Sequence, residues 1–442
     1  LGFAVISHFR KERFFCSGFQ ESRNASVFLK GNVMSSDSYW QQTAPPLPLP
    51  TDLPRSVDVA VIGGGLFGTA TTYWLASAGV SVALLEREAI GWGATGRNGG
   101  FMVAGPAESY TEAIERLGHE TARAVMADTL LNQHLVRQVL AEEEIACDYR
   151  DPGHLRLALS ASDEEQLRAE VAAFQADGFS VEYLERDAVQ HLIDTELSPI
   201  IRGGRLKRGQ ATVHSARFVR GLAQAALRHG ARAYRTEVQR LLPEGGRVRL
   251  QTTCGSIDAA QVIVATNAWI GALVPQLEAF ILPQRQQALA FAPLPPIFST
   301  HISAGVITGE YFQQTPDGTI ILGGCSSVAP GEDCGIWEMT PTTEVQSAIE
   351  AVLPYLFPAL PTLRVAQRWA GLLDRTSDMH PIVDSIPTLP HVLVVCGLSG
   401  HGMPFGLRFG QLLAQGVATG SVPVELGPYR LDRPTLKPWT HA

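Results

Sequence analysis

Residues 56–86, SVDVAVIGGGLFGTATTYWLASAGVSVALLE, constrain this chain more than any other stretch. Val57, Val59, Ala60, Val61 and Ile62 form an apolar run rich in β-branched residues, which suits a buried parallel strand. Gly63, Gly65 and Gly68 follow as G-x-G-x-x-G, residues 66–78 have helical composition, Gly79 closes the helix, and residues 80–85 read as a second strand ending at Glu86. Gly63 permits a tight turn, Gly65 lets the backbone approach a pyrophosphate, and Gly68 lets the helix pack close to the strand. The helix N-terminus faces the phosphate charge. Glu86 stands about 20 residues beyond the glycines, where a carboxylate accepts from ribose hydroxyls. With strand, turn, helix, strand and acid all present, dinucleotide binding is favoured over a glycine turn in an ordinary α/β unit. Glu86 would repel a 2′-phosphate, so FAD or NAD is expected rather than NADP.

A chain of 442 residues has room for two or three domains. Its net charge of -8 argues against a nucleic-acid partner, which needs clustered Lys and Arg. No apolar run reaches the roughly 18–20 residues that span a bilayer. The six cysteines are scattered without a C-x-x-C, as in a reduced, cytoplasmic protein, and no metal site is expected. Residues 1–33 are basic and read either as a targeting leader or, by preference, as an upstream extension before Met34. Residues 35–54 read as a polar segment and a proline-rich linker.

Beyond Glu86, the glycine-dense stretch AIGWGATGRNGGFMVAG implies close backbone approach to a flat or charged group. The spacing predicts helices within 109–145 and over 161–177, 215–229, 343–356 and 405–419. Strands are expected within 148–159, 232–242, 248–253, 261–265, 283–291, 309–314, 319–323, 364–373 and 392–396. The last strand leads through GLSGHGM into a helix, mirroring the unit near residue 60. Both ends of the chain are therefore expected to build one cofactor domain, with the middle forming a second.

These motifs, DVAVIGGGLFG, GATGRNGG, VIVATNAW, DGTIILGG, RWAGLLDRTSDMHPIVD and GLSGHGM, resemble the FAD-dependent amine and amino-acid oxidase superfamily. Together with SYWQQTA before the first strand, the GRNGG form is most similar to γ-glutamylputrescine oxidase-like members. The resemblance covers residues 38–419. It implies an α/β fold: a glutathione-reductase-like FAD-binding Rossmann domain from 56–108, 205–275 and 364–430, and a substrate domain with a mixed, largely antiparallel sheet from 109–204 and 276–363. Residues 1–55 would be extension and linker. It implies that Gly63, Gly65 and Gly68 take the pyrophosphate, Glu86 the ribose, and that Arg87 lies beside the adenine. Thr95, Arg97, Asn98 and Gly99 would run along the cofactor, Val238 would contact adenine, and Ala265 and Thr266 would pass under the phosphates. Gly397, Gly400, His401, Gly402 and Met403 would meet the ribityl chain and the flavin edge, where a helix N-terminus offsets the negative charge of the reduced ring.

His401, Arg285 and Tyr311 are the candidates for the catalytic centre, with Arg285 a possible partner for a substrate carboxylate. His214 and Trp369 read as structural. Sarcosine oxidase-type members attach FAD to a cysteine in the segment that here reads WAGLLDRT; with none there, noncovalent FAD is expected. Those members also use a lysine above the flavin for reaction with oxygen, and none lies between Lys207 and Lys437.

The activity expected is oxidation of the C–N bond of a small amine or amino acid. Hydride passes to flavin N5, the imine is hydrolysed, and electrons pass to O2 to give H2O2. The alternatives are a dehydrogenase using a quinone or other carrier, an RNA-modifying flavoprotein, and a flavin-binding protein without turnover.

Overall fold

The computed structural model describes residues 37–298 and 302–439. The expectations for residues 1–33 lie outside the described residues. The helices, in chain order, are α1 (Tyr39–Gln42), α2 (Leu66–Ser77), α3 (Tyr110–Leu117), α4 (His119–Glu142), α5 (Ala161–Ala176), α6 (Arg186–Gln190), α7 (Ser215–Arg228), α8 (Thr343–Leu356) and α9 (Gly406–Thr419). The first strands are β1 (Ser56–Ile62), β2 (Val82–Glu86), β3 (Phe101–Met102), β4 (His154–Ala158), β5 (Val181–Glu185), β6 (Gly203–Lys207), β7 (Ala211–Thr212), β8 (Arg232–Arg235) and β9 (Val238–Glu244). They continue with β10 (Arg247–Thr252), β11 (Gly255–Val264), β12 (Leu282–Phe291), β13 (Ser303–Val306), β14 (Tyr311–Gln314), β15 (Ile320–Gly323), β16 (Val365–Arg375), β17 (Ile382–Ile386) and β18 (Leu389–Cys396).

The first sheet runs β17-β18-β11-β1-β2-β8. β1 is its centre, parallel to β11 on one side and β2 on the other. The strand expected from residues near 392 pairs parallel with β11, Val262 opposite Val392, so the two ends of the chain do share one sheet. α2 is buried almost all round, which its small residues allow. Its buried threonines satisfy themselves within the helix: the Thr69, Thr71 and Thr72 hydroxyls donate to the carbonyls of Gly65, Phe67 and Gly68 at 2.9, 2.8 and 2.7 Å. α9 lies directly on α2, and a Cβ at Gly410 would run into Ala70 and the Thr71 amide. That contact locks the C-terminal loop and helix to the first glycine turn.

The second sheet runs β16-β12-β15-β14-β13-β4-β6-β5 and is antiparallel except where β13 meets β4. α8 covers it with Val345, Ile349, Val352, Leu353 and Leu356, one face at helical spacing. Two boundaries differ from those expected. Residues 205–207 of β6 and most of β16, expected in the cofactor domain, lie in the second sheet, because β6 pairs with β4 and β16 pairs along the whole of β12. α4, placed with the second domain, joins the core of the first through Val125, Leu135, Val136 and Val139.

Part of the expected linker is also a docked element. Ser38 caps α1, its hydroxyl and the Gln41 side chain forming a capping box. Trp40 is 1% exposed.

Candidate active site

Both sheets open onto one cavity of about 510 Å³, within the roughly 300–1,000 Å³ typical of small-molecule and cofactor sites. At its first end lies the glycine turn. Gly63 has φ +107°, and a Cβ there would run into the Ala265 carbonyl. A Cβ at Gly68 would strike the Gly63 carbonyl oxygen, so α2 approaches β1 as closely as the motif requires. Gly65 caps α2, and the next amide, Leu66 N–H, donates to Thr95 Oγ1 at 3.0 Å. Glu86 Oε2 accepts from the Gly64 amide at 2.6 Å and Oε1 from the Glu88 amide at 2.7 Å. Burial pushes its pKa up, against those two amides. Each oxygen keeps a further acceptor site.

The second loop crosses the middle of the cavity. Arg97 donates from Nε to the Trp92 carbonyl at 3.0 Å and from Nη1 to the Ala370 carbonyl at 3.1 Å. Asn98 spans its own turn, Nδ2 donating to Thr95 O at 3.0 Å and Oδ1 accepting from the Gly100 amide at 2.8 Å. α1 braces this loop: Trp40 Nε1 donates to the Asn98 carbonyl at 2.6 Å, Gln41 Nε2 to the Trp92 carbonyl at 2.7 Å, and the Ser38 hydroxyl to the Gly96 carbonyl. Trp369, read as structural, donates to the Arg97 carbonyl at 2.8 Å from a buried position. His214 caps α7, also as read.

The C-terminal loop closes the far side. Asp374 accepts the Gly397 amide at 2.7 Å and the Leu398 amide at 3.2 Å. Burial raises its pKa to about 7 despite those bonds. Gly397 therefore serves the loop's shape, and the cavity is lined by Gly400, His401, Gly402 and Met403. His401 Nε2 donates to the Gly105 carbonyl at 3.0 Å, which fixes the tautomer, and burial followed by Lys207 lowers its pKa to about 4. It is neutral at pH 7.

Arg87, Thr95, Arg97, Asn98, Gly99, Val238, Ala265, Thr266 and Tyr311 all line this same cavity, together with Gly63, Gly65 and Glu86. Gly68 lies behind it in the strand–helix contact. Tyr311 stands 5.4 Å from Phe101, edge to face, and burial pushes its hydroxyl up to about 12. Arg285 is the correction. It does not line the cavity, because Asp333 grips its Nε at 2.8 Å and its Nη2 at 2.9 Å. Its neighbours Gln286 and Gln287 do.

Among the cavity residues that escaped the sequence reading are His154 and Arg156 on β4, and Arg205 and Lys207 on β6. The signal was present as H-L-R and R-L-K, polar residues two apart in apolar strands, which puts each pair on one sheet face.

The parallel sheet, the glycine turn at the start of α2 and the acid ending β2 define a dinucleotide-binding redox protein. The chain belongs to the FAD-dependent oxidoreductase family, whose model matches residues 58–416. It is 28% identical over 391 residues to a probable oxidoreductase, OrdL, of Rhizobium meliloti, covering 86% of this chain and 87% of that one. It is 26% identical over 379 residues to the gamma-glutamylputrescine oxidoreductase of Escherichia coli, covering 81% and 83%. Glycine oxidase from Geobacillus kaustophilus has the same fold, with a TM-score of 0.75 at 20% identity over 86% of this chain and 99% of that one.

The residues present fit FAD. The first turn offers a backbone approach free of side chains, and Glu86 has acceptor capacity to spare. Thr266 Oγ1 and Asn267 Oδ1, both on the cavity wall, are buried without a partner among the described residues. Buried polar atoms of that kind call for a polar ligand. Among the described residues no helix is long and apolar enough to cross a membrane.

Proposed function

We propose that this protein oxidises the C–N bond of a small amine or amino acid with noncovalent FAD, producing a carbonyl compound and an amine or ammonia, with O2 as the electron acceptor. The observation that carries the reading is one continuous cavity. It joins a dinucleotide cradle to a buried chamber walled by Phe101, Tyr311, His154 and His401. The names of the relatives, among them a gamma-glutamylputrescine oxidoreductase and glycine oxidases, support the same chemistry. FAD, when bound, supplies the sink for the two electrons, which it takes up as a hydride.

Gly63, Gly65 and Thr266 would hold the pyrophosphate and Glu86 the ribose. Arg97 and Asn98 keep the middle loop in shape through backbone carbonyls and amides, and His401 and Met403 would border the flavin. The aromatic wall excludes water from the reacting carbon. The substrate nitrogen must be uncharged for its lone pair to assist hydride departure. Burial and the cations Arg156, Arg205 and Lys207 both disfavour an ammonium ion there, so the chamber itself lowers the amine pKa. No strong base is required, in keeping with a neutral His401 and a Tyr311 that stays protonated. With water, the imine gives the carbonyl product and releases the nitrogen. The same cations would stabilise the negative charge that oxygen acquires when reduced to H2O2, which supports O2 over a carrier.

The test is anaerobic mixing of the FAD-loaded protein with amines, amino acids and matched alcohols. Bleaching by amine-bearing compounds alone is expected; bleaching by alcohols, or by nothing in the panel, would reject the reading. Readmitting air then separates acceptors: return of the yellow colour within seconds marks an oxidase, and persistence for many minutes marks a dehydrogenase.

A further inference from the structure

One wall of the chamber carries a nitrogen that the protein's own bonds leave unused. His154 opens β4, and in the parallel pairing of β13 with β4 it stands level with Ser303, which sets the two side chains on one face. Ser303 is fully buried. Its Oγ lies 3.0 Å from His154 Nδ1 and 3.2 Å from the Gly153 carbonyl oxygen. A carbonyl only accepts and a hydroxyl has one proton, so an Oγ that donates to Gly153 takes Nδ1–H as its own donor. That tautomer leaves a lone pair on Nε2, which has no hydrogen-bond partner among the described residues.

The surroundings select the same tautomer. His154 stands at the edge of a cationic face: opposite it is Lys207, and two residues along the strand Arg156 stands opposite Arg205. An Nε2–H would turn the positive end of its dipole toward these groups, whereas a lone pair turns the negative end. Burial, then Arg205, Arg156 and Lys207, hold the imidazole well below its usual pKa, so it is neutral at pH 7. None of these neighbours occupies Nε2. Lys207 Nζ donates to the Ala104 carbonyl at 3.0 Å, and Arg205 pairs with Glu170 at 2.5 Å. Phe101, 6.0 Å away and edge to face, is apolar. The ring keeps open surface on the cavity wall. An acceptor so placed, with no donor from the protein, calls for a donor on the ligand. The pyrophosphate does not supply it, since that group belongs beside Gly65 and Thr266 at the other end of the cavity.

We propose that His154 receives the nitrogen of the substrate: its Nε2 accepts an N–H of the neutral amine, which orients the amine and leaves the amine's own lone pair free. The enzyme therefore takes primary and secondary amines and discriminates against tertiary ones, whose neutral nitrogen has a lone pair and no N–H. With a tertiary amine the two lone pairs would face each other and Nε2 would stay unpaired. The word substrate rests on the C–N reading of the site; the acceptor itself can be measured without turnover.

The probes are pyrrole and furan, flat rings of nearly equal size of which only pyrrole has an N–H. Each is titrated into the FAD-loaded protein and followed through the flavin spectrum. Pyrrole is expected to bind about 10-fold more tightly than furan. His154→Leu should abolish that preference. His154→Gln, which brings a carbonyl oxygen near the position of Nε2, should keep part of it, with FAD retention unchanged in both. Nitrogen-15 NMR of the wild type reads the tautomer without any variant: a protonated Nδ1 and a bare Nε2 are expected, with the Nε2 signal moving when pyrrole binds. Should His154→Leu fail to fold, the NMR result and the wild-type comparison of the probes decide. Equal binding of pyrrole and furan, a preference that survives in His154→Leu, or a proton on Nε2 would each overturn the proposal. If pyrrole is preferred while no amine bleaches the flavin, the C–N reading fails and this assignment stands. If tertiary amines bleach the flavin as fast as their secondary homologues, and pyrrole is not preferred, this assignment fails and the C–N reading stands.

Discussion

The two ends of the cavity are built from different materials. At the first end the ligand-facing surface is mostly backbone: glycines whose missing side chains make room, a helix N-terminus, and amides and carbonyls held by Glu86, Thr95 and Asn98. At the second end the surface is side chain: imidazole, guanidinium and amine groups projected from two antiparallel strands, with Arg205 paired to the buried Glu170 carboxylate. The first kind of site is broken by adding atoms, the second by removing charge. The first suits a cofactor whose shape never changes. The second suits a substrate pocket, where replacing a few side chains alters selectivity and leaves the cradle intact.

The largest effect should come from the charged end. Glu170→Gln leaves Arg205 buried without its counter-charge, and breaking a buried pair costs about 3–5 kcal/mol. Thermal unfolding should show a drop of several degrees or more, while the surviving folded fraction still retains FAD. In the wild type burial raises the Glu170 pKa, but Arg205, Lys207 and Arg156 outweigh it and hold the carboxyl down at about 2, so the group is ionised throughout the neutral range. Loss of FAD from the folded Glu170→Gln protein would mean that the two ends are not independent.

Next comes the backbone end. Gly63→Ala places a methyl group against the Ala265 carbonyl at a φ of +107°, and FAD affinity should fall about 100-fold or more, roughly 3 kcal/mol. Flavin absorbance after gel filtration reads this directly. Unchanged retention would contradict the claim that missing side chains make the cradle.

A smaller effect concerns pH. The Asp374 carboxyl, raised to about 7 by burial, binds its proton more tightly in the folded than in the unfolded chain. Its contribution to stability is fully present below the unfolded value of about 4 and is lost as pH rises through about 7. On the flavin-stripped protein, the stability difference between wild type and Asp374→Asn should change by about 1 kcal/mol per pH unit inside that window. Outside it the difference should be flat. Taking the difference cancels the opposite trend of the buried histidines His214, His380 and His401, whose depressed pKa values cost stability as pH falls.

The smallest change is Trp40→Phe. It deletes one hydrogen bond, to the Asn98 carbonyl, and keeps most of the packing. FAD should bind a few-fold more weakly, about 1 kcal/mol. An unaltered affinity would make α1 a bystander to the middle loop.

The same contrast explains what was legible in the sequence. The cradle was readable because its physics is local: Gly63, Gly65, Gly68 and Glu86 fall within one strand–helix–strand unit, and each spacing has a single structural use. The partnership of the two chain ends followed from a repeated local pattern, strand, glycine loop, helix. The cationic face was not readable, because Arg156 meets Arg205 only through β-pairing across a distant segment, and one strand does not announce its partner. Arg285 misled for the same reason: an arginine in LPQRQQ says nothing about Asp333, which claims it from another loop. Trp40 stood out within SYWQQTA, but its packing on Asn98 was hidden by the prolines that follow, which make the segment read as linker.

The central claim is tested most directly by a single turnover under argon. FAD-loaded protein is mixed with an excess of an amine or amino acid that bleaches it, and the products are counted against the flavin. The account predicts one carbonyl product and one released amine or ammonia per FAD reduced. Reduction of the flavin without a matching carbonyl and nitrogen product would contradict it.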